Sequence, residues 1–282
     1  MKNPIENIVR TGIIKRWMTE AGTIRVLGAE IGQTVRDAME NQPLNRAGAE
    51  FVGEFLVGGA LLELALAPAD RVLCTLDSDG PIGSCSVDVW PGVALRARVD
   101  NPTPDVTPLV GPNAILRVSR QPARGGEVYT TAIPMPGDNI GDAFQLYALQ
   151  SEQVLSFIAL RTTMEGESLE RATGLLVQAL PGMVHEDLAA ITACLEQHSF
   201  SDLIGSGATI AECVDRMFGS LSMTFLGADP VGFRCRCSRE SAVAAVRSLS
   251  EEDLQDLQGG GTEEVECEYC GTTYHIQAAD LA

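Results

Sequence analysis

Four cysteines near the C-terminal end of the sequence lie in two close pairs. A C-x-C pair is followed, after 29 residues, by a C-x-x-C pair, which gives the set Cys235, Cys237, Cys267 and Cys270. Each pair can supply two corners of a tetrahedral metal site, and the intervening chain brings the pairs together. Gly271 follows the second pair and permits the positive φ of a tight turn. The spacing predicts a Zn²⁺ site of four thiolates rather than four unrelated thiols.

The same four thiols are candidates for redox chemistry. An ordinary structural zinc ribbon uses two C-x-x-C pairs, whereas the first pair here is C-x-C, which is less comfortable as a disulfide. C-x-x-C is the spacing of thiol–disulfide oxidoreductases, so Cys267 and Cys270 are expected to close first, and Cys235 and Cys237 to pair with each other. Arginines surround the first pair (Arg234, Arg236 and Arg239) and glutamates the second (Glu263, Glu264, Glu266 and Glu268). Zinc would keep all four sulfurs as thiolates, ready for an oxidant.

Two other interpretations of the cysteine pattern stay open at this point. The zinc can be purely structural, in a constitutive ribbon that serves as an interaction module. Alternatively, Cys267 and Cys270 can be the working pair of a thiol oxidoreductase. The sequence contains no nucleophile elbow, Walker loop or H-E-x-x-H motif, and four thiolates leave no open position on a metal for a catalytic water. We therefore expect a protein that is not an enzyme.

The remaining cysteines and the histidines have simpler interpretations. Cys74 and Cys85 lie in apolar, strand-like runs and are expected to be core residues, since free cysteine is among the most buried residue types. Cys194 and Cys213 lie in predicted helices and are expected to pack there. The three histidines, His185, His198 and His275, are expected to be structural or exposed, because four cysteines already fill a metal shell.

The segment that carries the four cysteines, residues 235–282, is too small to fold on a hydrophobic core of its own. Helices are predicted at Ser238–Leu249 and Glu251–Leu257, and a hairpin at Val265–Ile276. Residues 181–234 before it are predicted to form short amphipathic helices, at His185–Gln197 and Thr209–Phe218, separated by glycines. Such helices are marginal alone, so this stretch is interpreted as a metastable helical linker.

Residues 1–180 are predicted to form an α+β domain with a largely antiparallel sheet. Turn residues separate short strand-like runs, as at Ser78–Pro81, and strands outnumber helices. The expected strands are Asn7–Ile14, Arg71–Asp77, Ile82–Trp90, Leu95–Val99, Ala114–Ser119, Val128–Ala132, Val154–Leu160 and Gly174–Leu180. The expected helices are Val26–Met39, Arg46–Ala67 and Asp138–Gln150.

Composition limits the partners and the compartment. The formal charge is −18, with 38 acidic and 20 basic residues, which argues against nucleic acid and anionic membrane as partners. The first twenty residues mix charges and contain no apolar signal region, and the longest apolar run, Phe55–Ala67, is too short to span a bilayer and contains Glu63. We expect a cytoplasmic protein, where thiols are kept reduced and clustered cysteines more often bind metal.

The cysteine region resembles that of the heat-shock protein 33 family of redox-regulated chaperones. The resemblance is carried by the runs Phe233–Glu240 (FRCRCSRE) and Glu266–Gly271 (ECEYCG), by Tyr274, and by the distance between the pairs. Weaker similarities extend along the chain, in Asp79–Pro81, Val110–Gly111, Ser151–Gln153 and Gly174–Gln178. The order of these segments agrees over essentially the whole chain.

The resemblance implies an ATP-independent holdase of the stress response. In that family, zinc keeps the C-terminal module folded, and the module supports the linker against the N-terminal domain. Oxidants such as peroxide or hypochlorite convert the thiolates of Cys235, Cys237, Cys267 and Cys270 to disulfides and release zinc. The module and linker then unfold, homodimers form, and unfolding client proteins are captured. A glycine-interrupted linker beside a metal-dependent module is consistent with this sequence of events.

Overall fold

The protein forms two compact units, Met1–Arg234 and Cys235–Ala282. The structure, a computed structural model, describes residues 9–66, 70–122, 125–135, 137–250, 254 and 260–281. The predicted helix at Glu251–Leu257 falls almost wholly outside these residues. The first unit is built on one large sheet with helices on both faces, and the second on a two-stranded hairpin and one helix.

A ten-stranded sheet runs through the first unit. Its strands are β1 (Val9–Thr19), β2 (Ile24–Glu30), β3 (Arg71–Asp77), β4 (Cys85–Trp90), β5 (Ala94–Val99), β6 (Ile115–Gln121), β7 (Tyr129–Pro134), β8 (Ser156–Glu165), β9 (Ser168–Ala179) and β10 (Met223–Phe233). The spatial order is β7-β6-β3-β4-β5-β10-β1-β2-β9-β8. All neighbours are antiparallel except β5 and β10, which pair in parallel over two residue pairs. This confirms the predicted α+β class with a largely antiparallel sheet.

Helices cover the two faces of this sheet. On one face lie α1 (Gly32–Ala38), α2 (Arg46–Leu66) and α3 (Ile140–Gln150), which enclose the main hydrophobic core. On the other face lie α4 (His185–Gln197), α5 (Phe200–Gly205) and α6 (Ile210–Phe218), which enclose a second core. Strands β1, β2 and β9 therefore have apolar side chains on both faces. Thr209 and Glu212 form the predicted capping box of α6.

The predicted helix at Val26–Met39 is wrong in its first half. Residues Ile24–Glu30 form strand β2, which pairs with β1 and β9, and only Gly32–Ala38 is helical. Val26 faces the second core, whereas Leu27 faces the main core. A strand that is buried on both faces loses the alternation of apolar and polar residues, and its short apolar run cannot be distinguished from a buried helix by periodicity.

The segment 181–234 contains the predicted helices and, in addition, a long strand that was not predicted. Strand β10 pairs along its whole length with β1, from Val9 opposite Phe233 to Thr19 opposite Met223. Helices α4 to α6 and strand β10 thus share one compact unit with residues 9–180. The functional division of residues 1–180 from residues 181–234 stays a prediction.

Helix α2 carries an unusual buried carboxyl group, that of Glu63. Its side chain is fully buried, and neither carboxyl oxygen has a hydrogen-bond partner among the described residues. Burial, together with the nearby charges of Asp229 and Asp70, raises the pKa of Glu63 to about 8, so the group is neutral at pH 7. Across the described parts of the chain, no helix has the length and apolarity needed to cross a membrane.

Glycine allows the helices of residues 200–218 to approach the sheet closely. A Cβ atom on Gly28 of β2 would lie 2.4 Å from Cγ1 of Ile210, the first residue of α6. Two hydrogen bonds also join the start of α6 to the sheet. Glu30 of β2 accepts a hydrogen bond from the Ile210 backbone N–H at 3.2 Å, and Arg171 of β9 donates one to the carbonyl of Ala208 at 2.8 Å. Docking of α6 therefore depends on the missing side chain at position 28.

The second unit has a small core of its own. It contains helix α7 (Arg239–Val246) and the antiparallel strands β11 (Thr262–Glu266) and β12 (Thr273–Gln277), which confirm the predicted hairpin with slightly different bounds. Only three apolar side chains of its described residues are fully buried: Ala242, Val246 and Ile276. That core is small for a folded module, so another interaction is needed to stabilise it.

Replacing Gly28 with alanine should loosen the docking of α6. The new methyl group overlaps Ile210, and overpacking of this kind costs about 1–3 kcal/mol. Amide hydrogen exchange should become faster in Ile210–Phe218 while α2 stays protected. The matched control is Gly205→Ala, since no atom lies within 4 Å of the added Cβ there. Equal exchange in the two variants would show that Gly28 does not control docking.

Candidate metal centre

The second unit brings the four predicted cysteines together. Cys235 and Cys237 lie in the extended segment before α7, whose N-terminus is capped by the hydroxyl of Ser238. Cys267 and Cys270 lie in the turn that joins β11 to β12. In this turn the backbone N–H groups of Cys270 and Gly271 both donate to the carbonyl of Cys267, and Gly271 adopts the expected positive φ of 67°. The turn thereby places the sulfurs of Cys267 and Cys270 on the same side of the hairpin end, close to each other.

The distances among the sulfurs fit a metal site. All four sulfur atoms lie within 4.8 Å of one another. The Sγ atoms of Cys235 and Cys267 are 3.6 Å apart, and those of Cys237 and Cys270 are 3.5 Å apart. A regular tetrahedron with Zn–S bonds of about 2.3 Å has edges of about 3.8 Å, whereas a disulfide bond is about 2.05 Å long. The cluster matches four thiol ligands around one ion, and all four cysteines are free.

Hydrogen-bond donors surround the cluster. The Tyr274 hydroxyl donates to the Cys237 sulfur at 3.1 Å, and the Thr272 hydroxyl lies 3.2 Å from the Cys270 sulfur. The backbone N–H of Cys237 donates to the Cys235 sulfur at 3.5 Å. The backbone N–H groups of Tyr269 and Cys270 act on the Cys267 sulfur. Donors of this kind stabilise sulfur in its thiolate form.

The thiols differ in acidity. Burial raises the pKa of Cys235 to about 12, and burial also raises the pKa of Cys267. At Cys270 burial acts in the same direction, but hydrogen bonds from the side chain and backbone of Thr272 outweigh it and lower the pKa to about 7. The hydrogen bond to Cys237 raises the pKa of Tyr274 to about 12, so the phenol remains a donor. In this folded arrangement, hydrogen bonding therefore favours the thiolate of Cys270, whereas burial disfavours the thiolates of Cys235 and Cys267.

The other candidate residues lie away from this cluster. Cys74, Cys85, Cys194 and Cys213 are buried in the two cores of the first unit, which confirms the prediction that they are packing residues. His275 is exposed, and its ring lies 3.3 Å from the carboxylate of Glu264 instead of facing the sulfurs. His185 is exposed and His198 is half-buried.

The role of one charged residue near the cluster, Arg239, differs from the prediction. Arg239 was expected to favour the thiolates of the first pair. Its guanidinium instead donates to the carboxylate of Asp280 at 2.7 Å and to the carbonyl of His275 at 3.0 Å, so it ties α7 to β12 and the turn that follows. The roles of Thr272 and Tyr274 as donors were not predicted. They follow from the register of the hairpin, which places Tyr274 opposite Val265.

Comparison with known proteins gives matches over nearly the whole chain. A sequence profile of the family described as "Hsp33 protein" matches residues 13–277. The "33 kDa chaperonin" of Deinococcus radiodurans is 28% identical over 281 residues, covering 95% of this chain and 96% of the relative. The protein of the same name from Lacticaseibacillus casei is 30% identical over 273 residues, covering 91% of this chain and 92% of the relative.

A solved structure has the same fold. The crystal structure of a "33 kDa chaperonin (Heat shock protein 33 homolog)" from Thermotoga maritima matches with a TM-score of 0.85. The match covers 96% of each chain at 22% sequence identity. At that level of identity the likeness concerns the arrangement of strands and helices.

Proposed function

Because the chain belongs to the heat-shock protein 33 family, we propose that it is a redox-regulated, ATP-independent holdase chaperone. The observation that carries the proposal is the cluster of four free thiols in a unit with almost no core. A cluster of this kind can couple the oxidation state of the thiols to the folding of the unit. The name of these relatives, 33 kDa chaperonin, supports binding of unfolding client proteins rather than an enzymatic activity.

The residues proposed to bind Zn²⁺ are Cys235, Cys237, Cys267 and Cys270. Zinc bound there would hold the four sulfurs as thiolates, and its apparent binding free energy of about 10–16 kcal/mol would also be folding free energy. The donors around the sulfurs, from Thr272, Tyr274 and backbone N–H groups, favour the thiolate state that such a shell requires. Without this link the core of Ala242, Val246 and Ile276 is too small to keep the unit folded.

Oxidation of the thiolates is the proposed signal. Hydrogen peroxide accepts two electrons from a pair of cysteine thiolates; one S–S bond forms, two protons are taken up, and two molecules of water leave. In the folded unit the sulfurs of Cys235 and Cys267 are in contact, as are those of Cys237 and Cys270. All four sulfurs lie within 4.8 Å of one another, so the strain of the ring that each disulfide closes decides the pairing, and the short ring of Cys267 and Cys270 is the least strained. The proposed disulfides are therefore Cys267–Cys270 and Cys235–Cys237.

Unfolding of the second unit is proposed to affect one part of the first unit, residues 181–234, which form the proposed metastable linker. Strand β10 ends at Phe233, two residues before Cys235, so the chain passes directly from this segment into the second unit, and we propose that unfolding of the second unit destabilises the segment. Helix α4 packs loosely, over a cavity of about 150 Å³ that Phe157, Leu188 and Leu195 help to line. Loosely packed, glycine-separated helices belong to the low-stability part of a fold.

Release of α4, α5 and α6 would uncover apolar surface on both partners. The sheet side of the second core contains Trp17, Ile24, Val26, Leu175 and Val177. The helix side contains an equivalent apolar set, among them Ile191 and Phe218. We propose that this surface binds apolar segments of unfolding proteins and allows the oxidised protein to form homodimers. The proposed compartment is the cytoplasm, in keeping with eight free cysteines.

The reduced protein should contain one zinc ion per chain. Replacing Cys267 with serine should abolish stoichiometric zinc binding and unfold residues 235–282, since metal binding and folding are coupled. Elemental analysis measures the zinc, and hydrogen exchange measures the folding of β11 and β12. Cys74→Ser is the control, because Cys74 is buried in the main core away from the cluster. Full zinc content in Cys267→Ser would show that the ligands are wrong.

The decisive experiment on function combines peroxide treatment with three measurements on the full chain. Zinc release, disulfide mapping and suppression of the aggregation of a thermally unfolding protein should change together, and reductant plus zinc should reverse them. ATP should have no effect. Zinc retained after oxidation would favour the constitutive ribbon, and catalytic turnover of a disulfide substrate would favour the oxidoreductase. A dominant bridge between Cys235 and Cys267 would contradict the proposed pairing.

A further inference from the structure

One ionisable side chain of the main core lacks a partner of opposite charge among the described residues. Glu63 lies near the C-terminal end of α2, where its side chain is fully buried and neither carboxyl oxygen accepts a hydrogen bond from any described residue. The charged groups that act on it are the carboxylates of Asp229 and Asp70, and both are negative. Asp70 is itself paired with Arg120, at 3.4 Å. Burial and the two like charges all favour the protonated, neutral form of Glu63.

The positive charges on the same face of the sheet are engaged elsewhere. The guanidinium of Arg16 on β1 contacts the Asp229 carboxylate at 2.8 Å. The guanidinium of Arg25 on β2 donates to the backbone carbonyl of Ala65 at 2.6 Å, near the end of α2, and to a glutamine side chain on β9. Neither guanidinium favours ionisation of Glu63. A negative charge on this buried carboxyl group would therefore stay uncompensated.

Asp229 connects Glu63 to strand β10. It lies opposite Ile14 of β1, a residue of the main core. Residues that are directly opposite in an antiparallel pair have their side chains on the same face, so the Asp229 side chain lies on the face that α2 covers. An ionised Glu63 on α2 would thus repel a carboxylate that belongs to β10.

Strand β10 is less firmly held than α2. It pairs with β1 along its length, but with β5 only at Gly232 and Phe233, so among the described strands Met223–Val231 has a paired neighbour on one side only. The pairing with β1 is also interrupted by two register shifts. In α2, by contrast, residues 55–62 are all buried. Repulsion between Glu63 and Asp229 is therefore relieved most easily by movement of β10.

We propose that the proton on Glu63 sets how firmly β10 is held on the sheet, so that a rise in pH loosens β10 without any change at the cysteines. While Glu63 is protonated, Asp229 pairs with Arg16 and no charge lies in the core beside it. When the proton leaves to water, two like charges face each other, and opening of β10 lets water reach both. Because β10 belongs to residues 181–234, pH would be a second input to the segment that oxidation is proposed to release; that consequence rests on the proposed function.

The direction of the effect follows from proton linkage. Burial raises the pKa of Glu63 to about 8 while β10 is in place, and exposure to water returns the group to the ordinary pKa of a glutamate, about 4.3. Opening of β10 therefore releases a proton at any pH between these two values, so opening becomes easier as pH rises through this range and changes little above it. The equilibrium constant for opening should increase by up to about tenfold for each pH unit.

The test is amide hydrogen exchange of the reduced, full-length protein between about pH 6 and pH 8, with rates converted to opening constants so that the direct effect of pH on exchange is removed. The opening constants of amides in Met223–Val231 should rise with pH in the unsubstituted protein. They should stay nearly constant in Glu63→Gln, which keeps the size of the neutral acid but cannot ionise. An equal rise in the two proteins would overturn the proposal.

Two comparisons separate this effect from a general one. Glu54→Gln is the matched control on the same helix: burial raises the pKa of Glu54 to about 7, but its carboxyl group accepts a hydrogen bond from the Thr162 backbone N–H at 3.4 Å and is attracted by Arg161. This substitution should leave the pH dependence of β10 unchanged, and its loss there would count against Glu63. Amides of β3 should open less readily than those of β10 at every pH. Equal opening constants in β3 and β10 would indicate global unfolding and refute the role of β10.

A second substitution, Asp229→Asn, covers the case in which Glu63→Gln does not fold. It removes a carboxylate that repels an ionised Glu63, so the pKa of Glu63 should fall and the rise in opening constants should level off at a lower pH. An unchanged profile would overturn the proposal, as would loss of zinc or of free thiols over the pH range. Peroxide treatment of Glu63→Gln should still release zinc. Failure of that response would refute the proposed function and leave the pH dependence of β10 intact, so the two failures are distinguishable.

Discussion

Convergence of four sulfur atoms on one point is the constraint on which the second unit depends. Its described residues bury only Ala242, Val246 and Ile276 fully, so side-chain packing alone cannot offset the entropy of ordering the segment. The hairpin turn, the cap of α7 and the Arg239–Asp280 ion pair each bring parts of this unit into place. Each is individually weak, and they act together only because the sulfurs meet. Under the proposed zinc binding, chemistry at the sulfurs acts on the folding of the whole unit.

The first unit is stabilised by two hydrophobic cores of unequal size. Its main core, between α2 and the sheet, is large and continuous, whereas the second core depends on three short helices and the close approach at Gly28. The Glu30 carboxylate and the Arg171 guanidinium tie these helices to β2 and β9 by a few polar contacts. Because one face of β2 belongs to each core, the sheet can stay intact while the helices on one face leave.

The sequence was informative where chemistry depends on residues that are close along the chain. Cys267 and Cys270 share one turn, and Thr209 and Glu212 share one capping box, so spacing alone predicts both. Sequence patterns failed to predict features that are determined by pairing between strands far apart in the sequence. Strand β10 contains Gly227 and Pro230, which are rare in central strands, and it is extended because β1 offers a partner over its whole length. The donor from Tyr274 to Cys237 was missed for the same reason, since it depends on the register of β12.

The place of β10 in the sheet also has a consequence for the order in which the protein can fold during synthesis. Strands β1 and β5 are complete by residue 99, but β10, which lies between them, ends at Phe233. A growing chain therefore carries two unjoined halves of the sheet, with the edges of β1 and β5 uncovered, until most of the protein has left the ribosome. Contacts this distant in sequence form slowly, and open edges pair readily with other chains. The nascent protein thus has its own need for protection from aggregation before it is complete.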